Sequence, residues 1–124
     1  MSLVAGIGCR RGVSAAEIEH AVRQALGTLD FSALSAVASI DVKQNEAGLR
    51  EFCERHRLAL HFFSADEIAS VPGAISTHAL EHLNVNGVCE PCAMLLSGAM
   101  AIETLVVPKT IAGGVTVAIA RKAS

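Results

Sequence analysis

At 124 residues the chain has the usual size of one domain and is long enough to bury a core. Its 52% hydrophobic and 18% charged residues exclude a disordered composition, and with four Phe, no Tyr and no Trp that core has to be aliphatic. A net charge of -2 and so few aromatics leave neither the basic face nor the stacking platform of a nucleic-acid binder.

The opening Met1-Ser2-Leu3-Val4-Ala5-Gly6 lacks the basic region and long apolar stretch of a signal peptide. No apolar run reaches the roughly 18 residues of a membrane helix. The cysteines, Cys9, Cys53, Cys89 and Cys92, fall in a chain large enough to fold without staples. Reduced thiols in a soluble, cytoplasmic protein are therefore expected, with no membrane partner.

Leu3 to Gly8 is a short apolar run ending in glycines, the pattern of a buried strand. Ser14-Ala15-Ala16-Glu17 reads as a capping box, followed by Ile18, Val22, Ala25, Leu26 and Leu29 on one helical face. Leu34 to Ile40 is a second strand, stopping at Asp41. Glu46 to His56 reads as a helix with Leu49, Phe52, Cys53 and His56 on its inner face. Leu58 to Phe63 is a third strand. Ser64-Ala65-Asp66-Glu67, a second capping box, opens a short helix broken at Val71-Pro72-Gly73.

Ser76 to Leu83 reads as one or two helical turns and Asn84 to Gly87 as turn material. From Cys89 to about Glu103, Ala, Met, Leu and Gly without a polar stripe predict a mostly buried helix. Thr104 to Val107 and Val115 to Ala120 are the last two strands, with Ala112-Gly113-Gly114 suggesting a hairpin between them. The alternation predicts a single α/β domain over residues 1–124. It has three layers: a mainly parallel five-stranded sheet, helices on both faces and an antiparallel C-terminal edge.

The turn after the first strand, Gly6-Ile7-Gly8-Cys9-Arg10-Arg11-Gly12, is the first place where chemistry is expected. Glycines allow close backbone approach, the next helix starts nearby, and Arg10 and Arg11 carry forked donors suited to carboxylate or phosphate. A dinucleotide fingerprint would put glycine where Arg11 stands, with Gly12 one place late, and Asp41 lies farther on than the usual ribose-binding acid. A nucleotide-binding oxidoreductase stays open on these residues.

Cys89-Glu90-Pro91-Cys92 at a helix start has the layout of a thiol-redox pair, against which stands a reading as two small buried residues. His78-Ala79-Leu80-Glu81-His82 matches a zinc-peptidase pattern, but two exposed helix histidines are the simpler reading, and no metal is expected. Finally, Asp41-Val42-Lys43-Gln44-Asn45-Glu46 is a charged loop after the second strand. In a doubly wound sheet it shares the carboxyl edge with Arg10, Arg11, Ser64 and the turn before Glu90, making a mixed-charge pocket.

Read together, these segments resemble the CobE proteins and the C-terminal domain of CbiG, from cobalamin biosynthesis. The resemblance is carried by Gly6 to Gly12, then Ser39-Ile40-Asp41-Val42-Lys43 with Glu46, Gly48 and Leu49, then Phe62-Phe63-Ser64 with Glu67 and Val71. Ser76, Gly87-Val88-Cys89-Glu90-Pro91, Leu105-Val106-Val107-Pro108-Lys109 and Thr116 to Arg121 follow in order.

The resemblance implies a part in building the corrin ring. CbiG is a hydrolase that opens a lactone on a cobalt-precorrin and releases acetaldehyde; this chain lacks room for the rest of that protein and looks like the free-standing CobE form. The implied ligand is a precorrin-type tetrapyrrole, bound or delivered, with no resident cofactor. A homodimer and contact with other cobalamin-pathway enzymes are left open. Gly6, Gly8, Cys9, Arg10, Arg11, Gly12, Asp41, Lys43, Glu46 and Glu90 are the expected ligand-binding residues. Glu46 and Glu90 are the carboxylates placed to move protons in any catalysed step.

Overall fold

The computed structural model describes residues 2–71, 87–99 and 102–122. The expectations for Ser76 to Leu83, for Asn84 to Asn86 and for the His78–His82 pattern lie outside them.

The strands are β1 (Leu3–Cys9), β2 (Leu34–Ile40), β3 (Ala59–Phe63), β4 (Leu105–Ala112) and β5 (Val115–Arg121). The helices are α1 (Ala15–Leu26), α2 (Ala47–Arg55), α3 (Ala65–Ala69) and α4 (Cys89–Ser97), with single 3₁₀ turns at Phe31–Ala33, Asp41–Lys43 and Ile102–Thr104. The sheet order is β3-β2-β1-β5-β4. β1, β2 and β3 are parallel, and β5 runs against both β1 and β4. The expected α/β sheet with an antiparallel C-terminal edge is therefore the one observed, and Gly113 at the β4–β5 turn has a φ of 58° that favours glycine.

Alternation along the strands divides the core. Leu3, Ala5, Ile7 and Cys9 of β1, with Val115, Val117 and Ile119 of β5, face α1 and α2. The opposite face is built from smaller side chains: Val4, Ala36, Ala118 and Ala120 meet Cys89 and Ala93, while Ala38 and Ile40 meet Ile68, Val88 and Cys92. Gly6 lies on this second face. Its lack of a Cβ lets the backbone of α4 settle directly on β1.

The first and third helices start where the capping boxes put them. Ser14 Oγ accepts the Glu17 amide proton and Glu17 reaches back to the Ser14 amide. Ser64 and Glu67 repeat the arrangement at α3. α1 ends at Leu26 rather than running to Leu29, because Gly27 takes a φ of 59° and its N–H closes on Arg23 O at 3.0 Å. Similarly, α4 stops well before Glu103: Gly98 is left-handed and its amide bonds Leu95 O. The fourth strand is longer than expected, reaching Ala112, with register shifts on either side of Val107. Pro108 has no N–H to give the ladder, which accounts for the second shift.

Candidate functional site

The parallel strands β1, β2 and β3 end at one edge of the sheet, at Cys9, Ile40 and Phe63, and the β4–β5 hairpin turns there too, since Cys9 pairs with Val115. Topology thus gathers the expected charges. Arg10, Arg11 and Gly12 follow β1, all exposed. Asp41 and Lys43 form the 3₁₀ turn after β2, and Glu46 precedes α2.

The glycine-rich turn is shorter than the sequence suggests. Gly6 and Gly8 belong to β1 itself and are buried, so the exposed turn is Arg10–Gly12. A Cβ at Gly6 would stand 1.9 Å from Cys89 O, which makes Gly6 a helix-packing glycine rather than part of an open cradle. Gly12, by contrast, sits in the turn with a φ of 83°, in the left-handed region.

Several contacts hold that turn. The Arg10 amide donates to Gly114 O at 2.8 Å, and the Arg10 side chain runs against Gly114. The Gly12 amide donates to Glu46 Oε1 at 3.0 Å. Val13 is pressed by α2, since a Cβ at Gly48 would be 2.1 Å from Val13 O. In the neighbouring turn, Gln44 and Glu46 amides close on Asp41 O and Lys43 O at 3.1 and 3.0 Å, and Arg50 Nε donates to Gln44 O. The Ser64 hydroxyl oxygen accepts the Glu67 amide proton in its own capping box.

Cys9 is the buried floor beneath this edge. Burial pushes its thiol up to about 11, with Lys43 pulling it down and Glu46 adding to the rise, so both charges act on it electrostatically. On the other face, the first turn of α4 brings Glu90 to β4, where its Oε2 accepts the Lys109 amide proton at 2.9 Å. In the sequence Lys109 figures only as the end of the Leu105–Lys109 stretch; its pairing with Glu90 follows from the hairpin setting β4 beside α4. A groove of about 530 Å³ between Ala16, Glu17, His20 and Gln24 of α1 and Ala112 and Gly113 at the hairpin tip was likewise invisible beforehand.

The thiol-redox arrangement loses its chemical basis. Cys89 and Cys92 are free and buried. Burial raises Cys89 to about 11 despite a hydrogen bond from Thr116, and raises Cys92 further, whereas a redox pair needs a readily ionised thiol. Among the described residues no cluster of His, Cys, Asp and Glu could hold a metal ion. No helix among them is long and apolar enough to cross a membrane.

Fold and edge together define a three-layer α/β domain with a cationic turn at the end of its central strand, the place where such sheets take anionic ligands. The family model described as "Cobalamin synthesis G C-terminus" matches residues 3–120, and the chain belongs to that family. It is 36% identical over 121 residues to the cobalt-precorrin-5A hydrolase of Priestia megaterium, covering 95% of this chain and 32% of the relative. It thus spans about a third of that relative, and 41% of a Methanocaldococcus jannaschii relative that is 29% identical.

Two solved structures share both fold and sequence. One is CobE, a protein from the cobalamin (vitamin B12) biosynthetic pathway, with a TM-score of 0.80 and 30% identity over 97% of this chain and 89% of that one. The other is the cobalamin biosynthesis protein chiG from Agrobacterium tumefaciens str. C58, with a TM-score of 0.74 and 33% identity over 98% and 99% of the two chains.

Proposed function

We propose that this member of a cobalamin-biosynthesis family binds a precorrin-type tetrapyrrole at the carboxyl edge of its sheet, holding the carboxylates of the ring's rim. The observation that carries the reading is the convergence of the Arg10–Gly12 turn and the Asp41–Lys43 turn on one edge. Corrin precursors are apolar macrocycles fringed with acetate and propionate groups. Such a fringe calls for cations spread along an edge rather than one deep anion hole. Arg10 and Arg11 supply forked donors that match a carboxylate in two bonds, and Lys43 supplies a point charge on the adjacent turn. The names of the relatives support the same ligand class, a cobalt-precorrin in both curated relatives.

The nucleotide alternative has no such support: the turn lacks the third glycine of the fingerprint, and no relative named above is a nucleotide enzyme. Holding and delivering a reactive intermediate requires no group beyond these side chains, so binding is the activity proposed for the domain.

The test is a visible-absorbance titration with cobyrinic acid, a corrinoid polycarboxylate, beside its fully methyl-esterified form. Micromolar binding of the acid, loss with the ester, and at least about a tenfold weakening in the Arg10→Ala, Arg11→Ala double variant are expected, one lost charged bond being of that order. Equal binding of acid and ester, or an unaffected double variant, overturns the assignment.

A further inference from the structure

Glu46 carries the most informative single contact at the edge. It occupies the N-cap position of α2, where a side chain ordinarily bonds the first amides of its own helix, yet it makes no such bond. Its Oε1 reaches instead across 34 positions of sequence to the Gly12 amide, at 3.0 Å.

That amide belongs to the residue with the least self-restraint in the turn. Gly12 stands at a φ of 83°, and a glycine loses more backbone freedom on ordering than any other residue. The local closing bond, from the Val13 amide to Arg10 O, is a long 3.4 Å. On the far side, Arg10 is tied to Gly114 at 2.8 Å. Without Glu46, the turn is anchored at its entry by Gly114 and beyond its exit by the Gly48–Val13 contact, with Arg11 and Gly12 between them.

We infer that Glu46 is a positioning residue: its carboxylate fixes the Arg10–Gly12 turn through the Gly12 amide and so sets the direction in which the two arginines are presented. This rests, for the ligand, on the function proposed above. One of the two Glu46 oxygens is thereby committed to a backbone donor. The role needs an acceptor and not a charge. A negative charge beside a carboxylate-rimmed ligand opposes binding, so an uncharged acceptor of the same length should serve as well or better.

Three proteins decide the matter: wild type, Glu46→Gln and Glu46→Ala, each checked for folding by circular dichroism. Exchange of the Gly12 amide with water, followed by NMR without ligand, should quicken in Glu46→Ala and return towards wild type in Glu46→Gln. Cobyrinic acid should bind about tenfold more weakly to Glu46→Ala, the order expected for one lost hydrogen bond to a charged group, and no more weakly to Glu46→Gln than to wild type.

Equal loss of binding in both variants would make Glu46 a charge or proton contact and overturn the inference. So would wild-type Gly12 exchange in Glu46→Ala. If wild type binds no cobyrinic acid, the proposed ligand falls and the arginine-presenting role falls with it; the Gly12 exchange rates then separate that failure from failure of the Glu46 hold on the turn.

Discussion

Gly6 lies beneath Cys89 so closely that a Cβ at position 6 would stand 1.9 Å from Cys89 O and 2.6 Å from the amide nitrogen of Ala93. Both atoms are helix backbone, which cannot swing aside as a side-chain end can. Gly6→Ala must therefore lift the first turn of α4 off β1, the turn that carries Glu90 to β4. We expect a loss of about 3 kcal/mol or more, at the upper end of overpacking costs, read as a lowered urea midpoint with an unchanged slope. A loss below about 1 kcal/mol would mean that α4 can slide without cost.

The thiols predict an alkaline limit to stability. In the folded chain burial raises Cys9 and Cys89 to about 11 and Cys53 to about 12, from an ordinary value of 9.0. Between those values the unfolded chain has released protons that the folded chain still holds, so the stability contribution is intact below pH 9 and falls as pH rises through 11. Urea midpoints should hold steady from pH 7 to about 8.5 and then decline, less steeply in Cys53→Ala than in wild type. The native protein should also resist a thiol reagent at pH 7 and react fully once unfolded. Rapid reaction of Cys89 in the folded state would restore the redox reading.

How far such features can be read in advance depends on the range of the interaction. Both capping boxes and the strands β1, β2 and β5 follow from neighbours within a few residues, and they stand where the pattern places them. The convergence of Arg10, Asp41 and Lys43 was also legible, because parallel strands put their carboxyl ends together whatever the side chains do. What escaped was long-range. Gly6 reads as part of a ligand turn but lies under α4, and Glu46 reads as a ligand-binding or proton-transfer carboxylate but bonds Gly12, 34 positions away. The expected helix runs past the end of α4 because an Ala- and Met-rich sequence carries little amphipathic signal, and the stop is the left-handed Gly98 within it.

Glu19 offers an acid-side prediction. Its carboxylate takes Arg23 Nε at 2.9 Å within α1 and meets His56 Nε2 at 2.9 Å, joining α1 to the end of α2, where Phe31 and Phe52 pack on the imidazole. The Arg23 bond first, and the His56 bond after it, hold the Glu19 carboxyl below its ordinary 4.5. A lowered folded value means a contribution present above pH 4.5 and lost as pH falls through the folded one. With Glu19 partly exposed, the contribution is of the order of 1 kcal/mol at most. Glu19→Gln should thus be slightly less stable than wild type at pH 7, and the gap should narrow as pH falls below 4.5. A gap that does not narrow with falling pH would locate the effect in packing rather than charge.

Glu90, an expected proton-transfer group, has one carboxylate oxygen engaged with the backbone of β4. Pro108 removes a donor from that strand, the register to β5 slips between Val107 and Thr110, and the Lys109 amide turns to Glu90 Oε2 at 2.9 Å. A bulge next to a proline on an edge strand needs some acceptor outside the sheet, and Glu90 provides it. Glu90→Ala should cost about 1 kcal/mol and speed exchange of the Lys109 amide, whereas Glu90→Gln, which keeps an acceptor of the same reach, should recover most of both. Because the contact also ties α4 to the edge strand, the Glu90→Ala loss should shrink in a Gly6→Ala background, where α4 has already been lifted; additive losses would show that Glu90 acts on β4 alone.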